Sequence, residues 1–346
     1  MLYPLKFRPR LLPKIWGGRK LQSVLGKPLP DNALIGESWE LYDFPPGVAD
    51  SSDQWLSSVV DNGPLAGRTL HDLLLEHGPA LHGDMPLLAP HNQFPILIKF
   101  LDARESLSVQ VHPDAAYAAA HPGSHLKTEA WYIVHAEPAA RLYKGLVPKT
   151  TRRQLADALA AGSVERLINA IPAKPGQCVY LPSGTIHALG AGLLVAEVQT
   201  PSDTTFRVFD FNRIAPSTGR PRPLHVEQAL ECINFGDPQE PPQKPSHVAG
   251  PFTTVSRLIT CPHFILERVR FSEGVEQPLP SGRLVIWMIL EGKLELRTDS
   301  PQETVTLTRG DTTLLPASVK NPTLKTLRDS LWLAVTLPPG HSPSPR

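Results

Sequence analysis

Pro175-Gly176-Gln177-Cys178-Val179-Tyr180-Leu181-Pro182 is the stretch that decides the fold class. A Gly-polar turn leads into a short β-forming run, and a Leu-Pro pair ends it, because proline has no N–H to give a ladder. The same grammar returns at Gly310-Asp311-Thr312-Thr313-Leu314-Leu315-Pro316. One signature occurring twice implies two copies of one β-barrel module. Chain length agrees, since 346 residues exceed the size at which a single hydrophobic core keeps growing.

Strand signals surround both copies. Phe94-Pro95-Ile96-Leu97-Ile98-Lys99-Phe100-Leu101 reads as a buried strand, and Leu107 to Val111 follows after a turn at Asp102 to Ser106. These two are expected to be neighbours. Further runs are Ala130 to Val134, Cys178 to Leu181, Gly192 to Gln199 and Phe206 to Phe209. In the second half Leu284 to Leu290, the turn Glu291-Gly292-Lys293, and Leu294 to Arg297 have hairpin character. Many short strands punctuated by 38 prolines predict a mainly β protein built as a jelly roll, with few helices.

The helical patterns are short. Thr69 with Asp72 starts one through Leu70, Leu73 and Leu74, stopped by Gly78 and Pro79. Thr151 with Gln154 starts another through Leu155, Ala158 and Leu159, ended by Gly162, and Ser163 is placed to cap a turn through Leu167. A third spans roughly Leu224 to Ile233. Residues 237–250 lack periodicity and are rich in Pro, Gln and charge, which predicts a linker between residues 1–236 and 251–346.

Composition removes several functional classes. The formal charge is +1 with no basic block, so a nucleic-acid partner is not indicated. No stretch approaches the roughly 18 apolar residues of a membrane span, and the N-terminus lacks a secretory h-region. Cys178, Cys232 and Cys261 form no even framework or CxxC pair, as suits a reducing compartment. These features predict a soluble cytoplasmic protein, with a monomer as the simplest state.

Chemistry concentrates in three runs: Gln110-Val111-His112-Pro113, Lys127-Thr128-Glu129, and Pro182 to Gly190 with His187 inside it. Residues i and i+2 of a strand share a face, so Gln110 and His112 can converge on one cation. Imidazole, carboxylate and amide oxygen are all zinc ligands, and two His, one Glu and one Gln leave an ion with net positive charge and Lewis acidity. Lys127, two residues before Glu129, falls on the same face. The second copy has Trp287, Leu294 and Leu296 in place of such ligands, so the metal site occurs once.

The runs IKFLDARESLSVQVHPD (98–114), KTEAWYIV (127–134), GQCVYLPSGTIHALGAG (176–192) and EVQTPSDTTFRVFDFNR (197–213) resemble the type I mannose-6-phosphate isomerase family, compact bacterial branch. Agreement at Trp16-Gly17-Gly18 and Gly36-Glu37-Ser38-Trp39-Glu40 extends the likeness toward the N-terminus. The resemblance implies a cupin fold with a catalytic first module and a metal-free second one. It implies one Zn2+ per chain on Gln110, His112, Glu129 and His187, and interconversion of mannose 6-phosphate and fructose 6-phosphate. It further implies catalytic roles for Lys127, Arg207 and Asp203.

Moving hydrogen between C1 and C2 through an enediol-like intermediate needs positive charge for the developing oxyanion, available from the metal, Lys127 and Arg207. It also needs a base, for which Asp203, His187 and a metal-bound water stand open. Arg207, Arg213, Lys99 and Lys144 are the candidates for holding the substrate phosphate. Two other readings share the fold: a non-catalytic sugar-phosphate sensor, and a cupin metal oxygenase, which a Gln-x-His pair in place of His-x-His disfavours.

Overall fold

The computed structural model describes residues 1–49, 53–215, 218–236, 243, 245–299 and 302–338. Two pairs of antiparallel sheets dominate. In the first pair a six-stranded sheet runs in the order Cys178–Leu181, Glu129–Ala136, Leu193–Gln199, Leu97–Ala103, Ile35–Leu41, Arg10–Gly18. It faces a five-stranded sheet ordered Ile168–Pro172, Arg141–Leu146, His187–Leu189, Val109–Val111, Phe206–Phe209. Leu101, Trp131, Ile133 and Val195 from the larger sheet meet Leu142 and Leu189 from the smaller one and fill the space between.

The second pair repeats this plan. A seven-stranded sheet runs Leu5–Lys6, Thr312–Leu315, Val285–Glu291, Ser330–Thr336, Ile265–Phe271, Thr253–Thr260, Ser246–Ala249, opposite a four-stranded sheet of Glu276–Pro278, Thr323–Thr326, Lys293–Asp299 and Gln302–Thr308. From Leu97–Ala103 and from Ile265–Phe271 onward, successive strands are dealt to the large and small sheets in the same order in both pairs. The two Leu-Pro runs, Cys178–Leu181 and Thr312–Leu315, hold the same place in that order, each beside the strand that begins at Glu129 or Val285.

One expectation is corrected. Leu97–Ala103 and Val109–Val111 are not neighbours but lie in opposite sheets. The reason lies at the end of the first strand: Asp102 is buried, and its Oδ2 accepts the backbone N–H groups of Lys20 and Leu21, which fixes the strand end from which the chain crosses the barrel. The crossing is what brings Gln110 and His112 opposite the larger sheet.

The large sheets of the two pairs pack back to back. Ile98, Phe100, Tyr132 and Ala196 meet Leu258, Leu266 and Leu333 in one apolar cluster. Every residue of Leu97–Ala103 and Leu193–Gln199 is consequently buried, on one face by the second pair and on the other by the barrel interior, which explains why these strands are mostly apolar and do not alternate with exposed polar residues. At the first residues of the chain Leu5 and Lys6 pair with Leu314 and Thr313, so the N-terminus is stitched into the C-terminal sheet.

Thr69 caps Leu70–His77 by accepting the Asp72 N–H, and Thr151 with Gln154 forms a capping box for Arg152–Ala160. Ser163 stands before the turn Val164–Leu167 without a side-chain cap bond, and the third helix is Val226–Cys232. Asp114 caps an additional helix, Ala115–Ala120, whose alanines gave no amphipathic stripe. Of the stretch expected as a linker, 237–242 and 244 lie outside the described residues. Ser246–Ala249, at its end, is an edge strand paired with Thr253–Thr260. Among the described residues no helix is long and apolar enough to cross a membrane.

Candidate active site

Strand register assembles the site. Lys144, His187, Gln110 and Arg207 stand abreast across the smaller sheet, each directly paired with the next. Directly paired residues of antiparallel strands share a face, so all four point to the same side of that sheet. The opposite face carries Val109, Val111, Ile186, Ala188, Phe206 and Val208, which pack on Ala229 and Leu155 of the helices. Across the barrel a second row of the larger sheet runs Trp39, Lys99, Glu197, Trp131. Glu129 sits beside that row, paired with Gln199 and Leu181.

His112, Glu129 and His187 have ligand atoms within 4.8 Å of one another and are almost fully buried. His112 Nδ1 lies 3.1 Å from the Thr204 carbonyl and His187 Nδ1 lies 2.8 Å from the Thr185 carbonyl. A carbonyl only accepts, so each Nδ1 carries the proton and each Nε2 presents a lone pair. Those lone pairs face carboxylate oxygens: His112 Nε2 is 3.3 Å from Glu129 Oε1 and His187 Nε2 is 3.5 Å from Oε2. Acceptors facing acceptors repel unless a cation stands among them, and His112 Nε2 and Glu129 Oε2 have no hydrogen-bond partner among the described residues.

The electrostatics keep the three groups in ligand form. Burial, then Lys127, pushes the His112 imidazole down to about 3, and burial lowers His187 as well. Glu129 is held well below the usual carboxylate range: burial alone would raise it, but Lys127, whose Nζ is 3.1 Å from Oε1, and the histidines outweigh that. Two neutral imidazoles and one ionised carboxylate fit a divalent ion such as zinc. Gln110 stands beside them with its amide nitrogen 3.3 Å from His187 Nε2. Its carbonyl oxygen reaches that place by a half-turn of the same amide.

The surrounding charges include residues that sequence reading left out. Glu197 is buried, accepts the Trp131 indole N–H at 2.7 Å, and lies 3.1 Å from Lys99 Nζ. Burial, then the nearby Glu129 charge, raises its pKa to about 7. Lys99, buried between Glu197 and Glu37, stays protonated because those carboxylates outweigh the burial that would lower it. Glu37 is in turn drawn down to about 2: burial opposes the shift, but Lys99 and Lys14 exceed it. The available signal was strand alternation, since Glu37, Lys99 and Glu197 are charges set into buried strands.

Of the expected catalytic residues, Lys127 lies against Glu129 and also points toward Thr205 Oγ1 at 3.5 Å. Arg207 is half-buried at the end of the small-sheet row, its Nε donating to Ser108 Oγ and its Nη1 to the Pro223 carbonyl. Burial, then Arg222, lowers its pKa. Asp203 is exposed at the rim, within the field of Lys127 and Lys99.

The phosphate candidates separate. Lys99 is enclosed by carboxylates, and Arg213 shares Asp210 with Arg222, whereas Arg207 has no carboxylate within ion-pair distance among the described residues. Glu40, at the end of the Gly36–Glu40 motif, is buried in an ion pair with Lys27 at 2.8 Å. His121 is exposed and stacks on Tyr117 in the loop between two ligand runs.

Comparison with known proteins gives a consistent result. Residues 5–137 match the family model described as phosphomannose isomerase type I, catalytic domain. A mannose-6-phosphate isomerase from Streptococcus mutans is 36% identical over 93% of this chain and 95% of its own length. The mannose-6-phosphate isomerase ManA of Bacillus subtilis is 35% identical over 90% of this chain and 93% of its own. The crystal structure of the mannose 6-phosphate isomerase from Bacillus subtilis superposes with a TM-score of 0.84 at 29% identity, covering 97% of this chain and all of that one.

Proposed function

The chain belongs to the type I phosphomannose isomerase family, and from that premise we propose that it interconverts mannose 6-phosphate and fructose 6-phosphate as a cytoplasmic zinc enzyme. The observation that carries the reading is the arrangement of buried lone pairs, with His112 and His187 Nε2 facing the Glu129 carboxylate. A zinc ion held there by His112, Glu129, His187 and the Gln110 amide oxygen would supply Lewis-acid charge to the sugar's C1 and C2 oxygens.

The chain's own residues do the rest. Lys127 keeps Glu129 ionised and adds a second positive charge where an enediol-like oxyanion develops. Arg207, oriented by Ser108 and Pro223, offers to an anionic group of the substrate a guanidinium that has no carboxylate partner among the described residues. Asp203, at the rim, takes the proton that passes between the two carbons. His187 is unsuited to that task, because Nδ1 is committed to the Thr185 carbonyl and Nε2 to the centre. Glu197 balances Lys99 one row away. In this reading residues 1–236 form the catalytic cupin module, with 251–346 a metal-free one.

The test is a coupled assay on mannose 6-phosphate with and without chelator, alongside metal analysis of the wild type and His112→Ala. The wild type is expected to hold one zinc per chain and turn over, and the variant to lose both. Binding of mannose 6-phosphate without turnover would restore the sensor reading. Oxygen uptake on another substrate would restore the oxygenase reading.

A further inference from the structure

Where the two sheet pairs meet, a cavity of about 490 Å3 opens between Lys144 and Gln177 on one side and His247 and Arg268 on the other. None of its lining residues is an Asp or Glu among the described residues. The wall from the second pair is built by register: His247, Ser256 and Arg268 are directly paired across three adjacent strands, so their side chains share one face. Ser256 is fully buried at the centre of that row. Its hydroxyl lies 2.8 Å from His247 Nδ1 and 3.4 Å from Arg268 Nη2, which orients both.

The opposite wall is equally ordered. Gly176, in a turn with φ of +84°, leaves room for Arg268 Nη1 and the Tyr132 hydroxyl, both within 4 Å of where a side chain would begin. Arg268 forms no ion pair with a carboxylate among the described residues, and Glu291, which acts on Tyr132, is paired with Arg270 at 3.7 Å. Lys144 enters from the smaller sheet of the first pair, abreast of His187. Lys144, Arg268 and the His247 imidazole thus line, from separate parts of the chain, one space whose remaining wall includes Ile171, Val179, Leu258 and Ile259. A guanidinium held by hydroxyls but not by a carboxylate retains its capacity for a bidentate anion.

We propose that this cavity is a second anion site, distinct from the metal centre, that binds a compact oxyanion of the phosphate-monoester class between Lys144 and Arg268. A bound anion ties the two sheet pairs together and bears on the strand that carries His187. Binding therefore raises the unfolding temperature of the whole chain.

Inorganic phosphate is the probe, titrated by calorimetry into the metal-loaded full chain and into Arg268→Ala, Arg268→Gln and Arg207→Ala. The glutamine can keep its contact to Ser256, so at least one Arg268 variant should fold. Loss of one charged, bidentate contact predicts binding weaker by about tenfold or more in both Arg268 variants. Arg207→Ala is expected to keep the site, and the Arg268 variants to turn over sugar phosphate at the wild-type rate. Equal phosphate affinity in wild type and Arg268→Gln would overturn the proposal. So would loss of the only phosphate site in Arg207→Ala, since the anion would then belong to the metal centre.

Discussion

The row Lys99, Glu197, Trp131 in the first large sheet and the row Glu267, Ala334, Trp287 in the second occupy the same places in the same strand order. Glu129 and Val285 likewise hold one register position, each opposite the leucine of a Leu-Pro run. The backbones repeat, yet one interior is charged and the other is apolar: Leu294, Leu296, Leu307 and Leu324 pack there with Trp287 and Trp332. The difference teaches that strand order supplies a scaffold, while a few inward-facing positions decide whether its interior is a charged site or an apolar core. An apolar interior stabilises by burial, whereas a charged one must be balanced residue by residue.

The most severe way to break the comparison is to give the first interior the residue of the second. Glu129→Val is expected to abolish metal binding and turnover together. It also leaves Lys127 buried without its carboxylate, and removing one member of a buried pair costs on the order of 3–5 kcal/mol. Metal analysis and urea unfolding of the chelated protein measure the two effects separately. Retained zinc would remove Glu129 from the centre.

Arg207→Ala separates chemistry from stability within the first pair. The variant should keep its metal and lose turnover by a factor on the order of 10²–10³, the scale for deleting one fixed group that stabilises developing charge. Steady-state kinetics with metal analysis read this directly, and an active variant would reassign the guanidinium to structure. The converse change in the second pair is Leu324→Ala, at a fully buried position. It should lower stability by about 2–5 kcal/mol through lost burial and a residual cavity, with the kcat of folded protein unchanged. A fall in kcat at full folding would mean that the second interior is coupled to the first.

Much of this contrast is legible in the sequence. The paired Leu-Pro runs announced two copies of one plan, because proline and glycine constrain backbone in ways that do not depend on distant contacts. Gln110 and His112 could be placed on one face because the period of a strand is fixed by covalent geometry. The candidate ligands His112, Glu129 and His187 lie far apart in sequence, and periodicity alone could not bring them together; the resemblance of ordered motifs proposed the grouping. Two things stayed hidden. The crossing between Leu97–Ala103 and Val109–Val111 depends on Asp102 capping backbone from the remote residues Lys20 and Leu21, and no local signal encodes that. The balance of Glu37, Lys99 and Glu197 depends on which strands become neighbours. A lone Glu in an apolar run says only that it needs a partner, not which one.

That balance yields the smallest of the expected effects and the sharpest probe of the charged interior. In metal-free protein the folded Glu197 titrates at about 7, raised by burial and by Glu129, while an unfolded glutamate titrates near 4.3. Between those values the folded chain holds a proton that the unfolded chain has released. Stability from this group is thus fully present below the unfolded value and is lost as pH rises through 7. Glu197→Gln cannot titrate, so the stability of wild type relative to the variant should decline between about pH 4.5 and 7 and then level off, as urea unfolding in chelator would show. A flat difference would mean that Glu197 is ionised throughout and that Lys99 outweighs burial. Zinc supplies the complementary measurement, because a cation beside Glu129 offsets the carboxylate charge that helps to raise Glu197. The decline should therefore shrink in zinc-loaded wild type. Ala334, at the equivalent register position of the second pair, can contribute no such dependence, so any pH response that survives in Glu197→Gln must arise elsewhere.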